Sequence, residues 1–204
     1  MLLIVTSIIL AFGFVGSASA SPFTNGSFEL GTDPGNFTTL YAVNTSITDW
    51  VVETGSIDYI GTYWAASDGD RSLDMSGYQA GSIYQEFDTV AGAWYDVLFD
   101  MAGNIDQDGT KDLRVTALSY TNDYSFIVES TYTATNMNWE TNTFKFQADS
   151  ALTKLVFTSL TSGGWGPALD NVRVSETQAQ VPEPATLLLL GFGLLGLAGF
   201  RRKE

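Results

Sequence analysis

The chemistry open to this chain is limited by two residue types that it lacks. Its 204 residues contain neither histidine nor cysteine. This composition excludes Ser-His-Asp and Cys-His nucleophiles, histidine-ligated zinc, disulfides and thiol sites. Carboxylates are therefore the groups that would carry out acid–base catalysis or hold a cation such as calcium.

Carboxylates are abundant. The chain has 23 acidic and nine basic residues, a formal net charge of −14, and three of the basic residues lie together at the C-terminus. A surface of this charge repels nucleic acid and anionic lipid and attracts divalent cations. We therefore expect no nucleic-acid partner.

Asp170 is a candidate for a buried carboxylate. In the run from Ala168 to Val174 it has the same strand parity as Val172 and Val174, which we expect in the core. A buried carboxylate without a partner is costly, so Asp170 needs an arginine, several N–H donors or a metal ion. Backbone N–H groups around Asn171 are the simplest of these partners.

Two other pairs of carboxylates are candidates for catalysis. Asp68 with Asp74, or Asp106 with Asp112, could serve as the acid and nucleophile of a glycan-cleaving enzyme. Residues 104–109 also resemble the first half of a calcium loop, but Val115 stands where such a loop has its bidentate Glu. We interpret this second cluster as a solvated turn.

Aromatic residues concentrate in predicted loops and at strand ends, close to Asp and Asn. Flat rings stack on the C–H faces of sugars, and nearby oxygens and amides bond the hydroxyls. The alternative is that these rings close the ends of a β-sandwich. The candidate sugar-binding residues are Trp50, Tyr59, Tyr63, Trp64 and Trp165.

The middle of the chain predicts strands. Short runs with a period of two alternate with Gly, Asn and Asp, and no apolar pattern is long enough for a confident helix. We expect one all-β domain at residues 21–178, a two-sheet sandwich or jelly roll. The predicted strands are Ile47–Val52, Ser56–Ile60, Arg71–Met75, Ser82–Phe87, Ala93–Met101, Asp112–Leu118, Tyr124–Ser130, Thr141–Gln147, Thr153–Ser159 and Ala168–Val174.

The N-terminus predicts export. Residues 1–20 form an apolar run ending in Ala18-Ser19-Ala20, the small-x-small pattern that signal peptidase cleaves. The run lacks the basic residues that usually precede it.

The C-terminus, residues 181–204, predicts a sorting signal with a membrane anchor. The apolar stretch 185–200 is a short candidate transmembrane helix, and the basic cluster after it should remain in the cytoplasm. The tail resembles the PEP-CTERM signal, which implies an exosortase as partner and cleavage near the motif, so membrane anchoring would be transient. The residues that carry the resemblance are Pro182, Glu183, Pro184, Arg201 and Arg202.

The predicted domain also resembles a known family. The segments NGSFELG from Asn25, YWAASDGDRSLDMSG from Tyr63 and FTSLTSGGWGPALDNVRV from Phe157 are similar to choice-of-anchor C proteins, which are in turn similar to the DUF642 proteins of plant cell walls. The resemblance implies a galactose-binding-like jelly roll at the cell surface or in the matrix, without established catalysis. By likeness to carbohydrate-binding jelly rolls, it also implies a structural Ca²⁺ held by Glu29 and Asp170.

These observations favour an exported, exosortase-sorted protein of the cell surface or extracellular matrix that binds polysaccharide without cleaving it. A purely structural or adhesive protein is the first alternative. A carboxylate-based enzyme acting on glycans is the second.

Overall fold

The protein is described by a computed structural model over residues 22–177, a region built entirely from strands and loops. The all-β class and the jelly-roll sandwich predicted from the sequence are confirmed. The eleven strands are β1 (Phe37–Tyr41), β2 (Val51–Thr54), β3 (Ser56–Ile60), β4 (Ser72–Asp74), β5 (Ser82–Asp88), β6 (Trp94–Gly103), β7 (Gly109–Ala117), β8 (Tyr120–Val128), β9 (Glu140–Gln147), β10 (Leu152–Ser159) and β11 (Pro167–Glu176).

The strands form two antiparallel sheets. The six-stranded sheet has the order β1-β3-β4-β11-β6-β9, and the five-stranded sheet has the order β2-β5-β10-β7-β8. Within residues 22–177, no helix is long and apolar enough to cross a membrane. The first strand lies at an edge of its sheet, and the last lies between β4 and β6.

The core lies between the two sheets and follows the predicted alternation. In β6, Val97, Phe99 and Met101 are buried on one face. The Phe99 ring meets Phe157 of β10 edge to face, with centroids 5.4 Å apart, so the aromatic contact crosses from one sheet to the other. Such pairs add to the hydrophobic stabilisation that apolar burial provides.

Most strands match the sequence-based prediction to within a few residues at each end, and two differ more. Strand β1 was not predicted. Its residues nevertheless have the strand period of two, with Phe37, Thr39 and Tyr41 on one face and Thr38 and Leu40 on the other. The second strand starts at Val51, and the expected residues before it form a turn held by a hydrogen bond from the Trp50 N–H to the Ile47 carbonyl.

The outer face of the six-stranded sheet carries buried carboxylates. Asp58 and Asp74 are register partners on β3 and β4, and Asp100 and Asp170 are partners on β6 and β11. Side chains of partners lie on one face of a sheet, and these point away from the core. Asp74, Asp100 and Asp170 are nevertheless buried. Ser67 donates to Asp100 and Asp170, and Asn104 and the Gly166 N–H donate to Asp74. We call the loops that carry these donors, with the loop that bonds Ala65, the loop cover: residues 61–71, 104–108, 131–139 and 162–166.

The orientation predicted for Asp170 is therefore wrong, although its burial is confirmed. The register of β11 shifts between Asp170 and Arg173, and Asn171 takes a left-handed φ of 51°. This bulge breaks the parity that linked Asp170 to the valines after it. Asp170 faces the loop cover and not the core between the sheets.

Two of the proposed sugar-stacking residues lie in the core. Trp50 and Tyr59 are each 1% exposed. The Trp50 indole N–H donates to the Asn25 carbonyl, and the Tyr59 hydroxyl donates to the Phe28 carbonyl. Neither ring can stack on a ligand without opening the core, so the alternative, that these rings close the sandwich, is correct for both.

The predictions for the two ends of the chain concern residues outside 22–177. The cleavage residues Ala18 and Ala20, the anchor at 185–200 and the motif from Pro182 to Arg202 all lie outside the described residues.

Candidate functional site

Tyr63 lies at the centre of the candidate site, in the loop that follows β3. Its hydroxyl donates a 2.5 Å hydrogen bond to Oδ2 of Asp106, in the loop between β6 and β7. This hydrogen bond, with some burial, raises the pKa of Tyr63 to about 12. Its ring packs edge-on against Phe37 at 5.5 Å. Tyr63 is thus fixed and only half-buried, as a ligand-binding ring should be.

Trp64 supports Tyr63 and is not a stacking platform. Its side chain is 4% exposed, and its indole N–H donates to Ser72 Oγ at 2.8 Å. The two rings lie 5.6 Å apart. The prediction that Trp64 stacks on sugar is corrected, because the ring is buried.

A small hollow opens on one side of Tyr63. Its volume is about 120 Å³. Trp165, 45% exposed, stands at its rim, and Asp58 and Asp106 contribute carboxylates. The full lining is Phe37, Asp58, Ile60, Tyr63, Trp64, Asn104, Asp106, Gly164 and Trp165. Aromatic rings and hydrogen-bond acceptors therefore converge on one small space.

The polar groups of the hollow are held by the strands beneath it. Asp58 accepts a hydrogen bond from the Thr39 hydroxyl at 2.6 Å, and burial raises the pKa of this carboxyl. Asn104 donates to Asp74 and accepts from the Asp106 backbone N–H. Asn104 is thereby committed to fixing the loop, while the exposed Asp106 keeps lone pairs available for ligand hydroxyls.

A larger cleft opens on the other side of Tyr63. Its volume of about 740 Å³ lies within the range typical of ligand sites. Glu29, Asp33, Asp70 and Arg71 line it together with the backbone around Gly69. The cleft is acidic, with Arg71 as the basic side chain among the residues that line it.

Arg71 is already engaged within the protein. Its Nη1 donates to the Tyr59 hydroxyl at 2.7 Å and to the Gly31 carbonyl at 3.2 Å. Its guanidinium lies 5.5 Å from the centre of the Tyr59 ring. Arg71 therefore links the loop cover to the core. Because its guanidinium is engaged in these contacts, it is a poor site for an anionic ligand.

The two residues of the calcium hypothesis hold the loop between them. Oε1 of Glu29 accepts the backbone N–H groups of Asp70 and Arg71, both at 2.8 Å. Gly69 has a φ of +71°, and a Cβ there would lie 2.3 Å from the same oxygen, so the close approach requires glycine.

Asp170 holds the other end of this loop. Its Oδ2 accepts the N–H groups of Ser67 and Asp68 at 2.7 and 2.9 Å, and its Oδ1 accepts that of Asn171. Burial raises the pKa of Asp170 to about 7, against the lowering effect of these donors. The carboxylate thus has the backbone partners that the simpler sequence-based alternative expected.

The hydrogen bonds of Glu29 and Asp170 affect whether a calcium ion can bind between them. Among residues 22–177, no group of three or more acidic side chains is arranged to hold a metal ion. Any cation between Glu29 and Asp170 would depend on backbone oxygens of the loop and would compete with five N–H groups for the two carboxylates. Structural calcium stays a prediction.

The carboxylate pairs considered for catalysis have structural roles. Asp74 is fully buried and accepts hydrogen bonds from Asn104 and from the N–H groups of Ser76 and Gly166. Burial raises the pKa of Asp74 to about 7. A carboxylate enclosed by these donors does not face a substrate. This argues against Asp68 and Asp74 as the acid and nucleophile of an enzyme.

The second candidate catalytic pair, Asp106 and Asp112, consists of carboxylates that each accept a hydrogen bond from a different partner. Asp106 accepts from Tyr63, whereas Asp112, on β7, accepts from the Ser125 hydroxyl of β8 at 2.6 Å. The turn around Asn104 and Asp106 is closed by the Asn104 side chain, in agreement with the interpretation of this cluster as a turn.

Sequence reasoning selected Tyr63 and Trp165 as sugar-binding candidates, but it missed Phe37 and Asp58 and considered Asp106 only as a catalytic or calcium-loop carboxylate. The alternation of Phe37, Thr39 and Tyr41 was the available signal for Phe37. Nothing in the sequence indicated that Asp58 and Asp106 would meet, because they come from loops and strands far apart in the chain.

Comparison with known proteins shows which family the domain belongs to. Residues 21–175 match the family described as "Protein of unknown function (DUF642)". The chain belongs to the DUF642 family. The resemblance to DUF642 proteins is thus confirmed, while the choice-of-anchor C label stays a prediction.

The segment after the DUF642 domain also matches a known element. Residues 180–203 match the PEP-CTERM protein-sorting motif, which confirms the interpretation of the tail as a sorting signal. A motif of this type marks the chain as an exported surface protein.

A relative of this DUF642 protein is halomucin of Haloquadratum walsbyi, which is 34% identical over 195 residues. The match covers 89% of this chain and 2% of halomucin. The chain therefore corresponds to a small part of that protein.

Solved structures similar to the DUF642 domain include carbohydrate-binding modules. One is TmCBM61 in complex with β-1,4-galactotriose, with 17% identity, 77% of this chain and 99% of the module covered, and a TM-score of 0.44. Another is a family 35 module of Clostridium thermocellum, with 13% identity, 72% and 98% coverage, and a TM-score of 0.45. A family 35 module from an environmental isolate has 16% identity, 70% and 100% coverage, and a TM-score of 0.47.

Proposed function

We propose that this DUF642 domain binds neutral polysaccharide outside the cell, at the hollow beside Tyr63, and does not cleave it. The observation that carries the proposal is the convergence of Phe37, Tyr63 and Trp165 with the carboxylates of Asp58 and Asp106 around one opening. Rings supply apolar faces for sugar C–H groups, and the carboxylates accept hydrogen bonds from sugar hydroxyls.

The charge of the site supports a neutral glycan. Among the described residues that line the hollow, none is basic, and both charged residues are acidic. The larger cleft adds Glu29, Asp33 and Asp70. A uronic acid or a sulfated sugar would meet like charges at short range, which raises the free energy of binding.

The sorting motif supports the location. A protein that carries a PEP-CTERM motif at residues 180–203 is handled by sorting machinery, and we propose signal peptidase and an exosortase as its processing partners. Residues 185–200 would hold the protein in the membrane until processing. The mature domain would then lie at the cell surface or in the matrix, where polysaccharide is found.

The states of the carboxylates support a binding module over an enzyme. Asp74 is enclosed by donors, and Asp112 is bonded to β8. The carboxylates that do face the hollow, Asp58 and Asp106, are both engaged as acceptors from Thr39 and Tyr63. Such groups suit recognition of hydroxyls.

Binding can be tested with immobilised neutral polysaccharides, such as cellulose, mixed-linkage β-glucan, xylan and galactan, and with a polyuronate as the charged comparison. We expect retention of the purified protein on at least one neutral polymer and none on the polyuronate. Tyr63→Ala and Trp165→Ala should each weaken retention at least tenfold.

The matched control is Trp94→Ala. Trp94 is 40% exposed but lies at the end of β6 far from the hollow, since β6 pairs with β11 from Gly103 near the hollow to Tyr95 at the other end. Loss of binding in the control, or unchanged binding in both site variants, would contradict the proposed site. Release of reducing sugar that is lost in Asp106→Asn would support the enzyme instead.

A further inference from the structure

Two exposed tyrosines stand beside the proposed site. Tyr41 is 55% exposed and Tyr78 is 74% exposed. Their rings are nearly parallel, with an interplanar angle of 12° and centroids 6.2 Å apart. Neither ring contributes to the core, so packing of the core does not explain why the two rings pair on the surface.

Tyr41 lies on the same face of β1 as Phe37. The two residues are separated by an even number of positions, and Thr39 between them bonds Asp58 of the hollow. Four residues of strand extend roughly 13 Å. Phe37 and Tyr41 therefore present aromatic rings on one face of β1, on either side of Thr39.

Tyr78 is tied to the other side of the hollow. The Tyr78 N–H donates to Ser56 Oγ at 2.9 Å, which fixes the turn that carries it. Gly164 packs on this turn so closely that a Cβ would lie 2.4 Å from the Gly77 carbonyl oxygen. The turn of Tyr78 and the loop of Trp165 are thus in contact.

These positions form one strip, which we define as Tyr63, Phe37, Trp165, Tyr78 and Tyr41. It runs past the hollow along the edge strand of the six-stranded sheet and is longer than a single sugar ring. A site for a monosaccharide or a chain end would need only the part around the hollow.

We propose that Tyr41 and Tyr78 form a second sugar platform, so that the domain binds an internal segment of a linear neutral polysaccharide. This inference rests on the proposed function and extends it from a class of sugar to the shape of the ligand. Stacked tyrosines present flat, rigid faces at low entropic cost, which suits successive sugars of an extended chain.

The test compares short and long ligands of one composition. Soluble oligosaccharides from disaccharide to hexasaccharide, prepared from the neutral polysaccharide that retains the wild-type protein, are titrated by calorimetry. Affinity should rise with chain length in the wild type, by at least tenfold over the series. Tyr41→Ala and Tyr78→Ala should remove most of this rise while leaving disaccharide affinity within about twofold.

Trp94→Ala is again the matched control, and Tyr63→Ala should weaken ligands of every length. If the affinity of the wild type does not depend on chain length, or if both tyrosine variants bind the hexasaccharide as the wild type does, the second platform is refuted while the proposed function stands. If no neutral polysaccharide retains the wild type, the proposed function fails and the platform with it. If the tyrosine variants instead change self-association, the strip is a protein contact and the inference is wrong.

Discussion

The Tyr63 hydroxyl donates a 2.5 Å hydrogen bond to the Asp106 carboxylate across two loops that are 43 residues apart in sequence. This contact makes one surface out of the loop after β3 and the loop after β6. The hydroxyl oxygen of Tyr63 can still accept a hydrogen bond from a sugar, and the ring remains half-exposed. Recognition of sugar at this place therefore depends on how the sandwich brings distant loops together.

The stability of the protein should respond to pH through Asp74. Burial raises its folded pKa to about 7 from an ordinary value of 3.8, so the native state holds a proton that the unfolded state releases between these values. The stabilising effect of that proton is complete below about pH 4 and is lost as the pH rises towards 7.

Replacement of Asp74 by Asn tests this linkage, because an amide does not titrate. Relative to the wild type, Asp74→Asn should gain about 2 to 3 kcal/mol in free energy of unfolding between pH 5 and pH 8, measured by urea denaturation. Asp123→Asn is the control, because Asp123 is exposed and its ion pair with Arg114 lowers its pKa. Parallel pH profiles for Asp74→Asn and the wild type would contradict the linkage.

Calcium binding by Glu29 and Asp170 makes a separate prediction. Calcium that binds the native state alone should raise the melting temperature, with about 2.7 kcal/mol of stabilisation at a hundredfold excess over Kd. Glu29→Gln and Asp170→Asn should abolish the shift, whereas Asp106→Asn should retain it. An unchanged melting curve after EGTA treatment, with no metal in the purified protein, would end the hypothesis.

The buried charge of Lys111 should lower the free energy of unfolding of the protein. It is 1% exposed, its Nζ has a long 3.4 Å contact with Gln107, and the three ion pairs among residues 22–177 do not include it. Burial lowers its pKa, so the unfolded state binds the proton more strongly and the charge costs stability at neutral pH. Lys111→Met should raise the free energy of unfolding by about 1 to 2 kcal/mol.

The control for Lys111 is Lys145→Met, since Lys145 is exposed and paired with Asp96. That variant should change stability by less than about 0.5 kcal/mol. A clear loss of stability in Lys111→Met would show that the long-range attraction of Asp74 and Asp108 outweighs the burial of the charge.

The aromatic residues should divide into two classes on mutation. Trp50→Ala should cost about 3 to 5 kcal/mol in unfolding free energy, because it leaves a cavity in the core. Tyr59→Phe should cost about 1 to 3 kcal/mol, because the Phe28 carbonyl and Arg71 lose a buried partner. Trp165→Ala should stay within about 0.5 kcal/mol of the wild type. Equal costs for Trp50 and Trp165 would contradict the division.

The sequence allowed the sandwich to be predicted because alternation is visible in it, as the strand around Val97 and Phe99 illustrates. Asp170 was placed on the wrong face because one left-handed residue, Asn171, reverses parity and leaves no mark in an apolar pattern. For Trp50 and Tyr59 the sequence left sugar stacking and closure of the sandwich both open, because the carbonyls that bond them, those of Asn25 and Phe28, come from a segment whose packing only the fold defines.

The site was predictable only in part for a similar reason. Tyr63 and Trp165 could be selected by type and neighbours, but the partners that make them a site come from β1, β3 and the loop after β6. Convergence of this kind depends on sheet order, in which β1 pairs with β3 and β11 separates β4 from β6.

The most direct test of the central claim is calorimetric titration of the purified protein with a soluble neutral polysaccharide, in parallel with Tyr63→Ala and Trp94→Ala. The account predicts saturable binding by the wild type and by Trp94→Ala, and at least tenfold weaker binding by Tyr63→Ala when that variant melts as the wild type does. Equal affinity of all three proteins, or binding confined to a polyuronate, would contradict it.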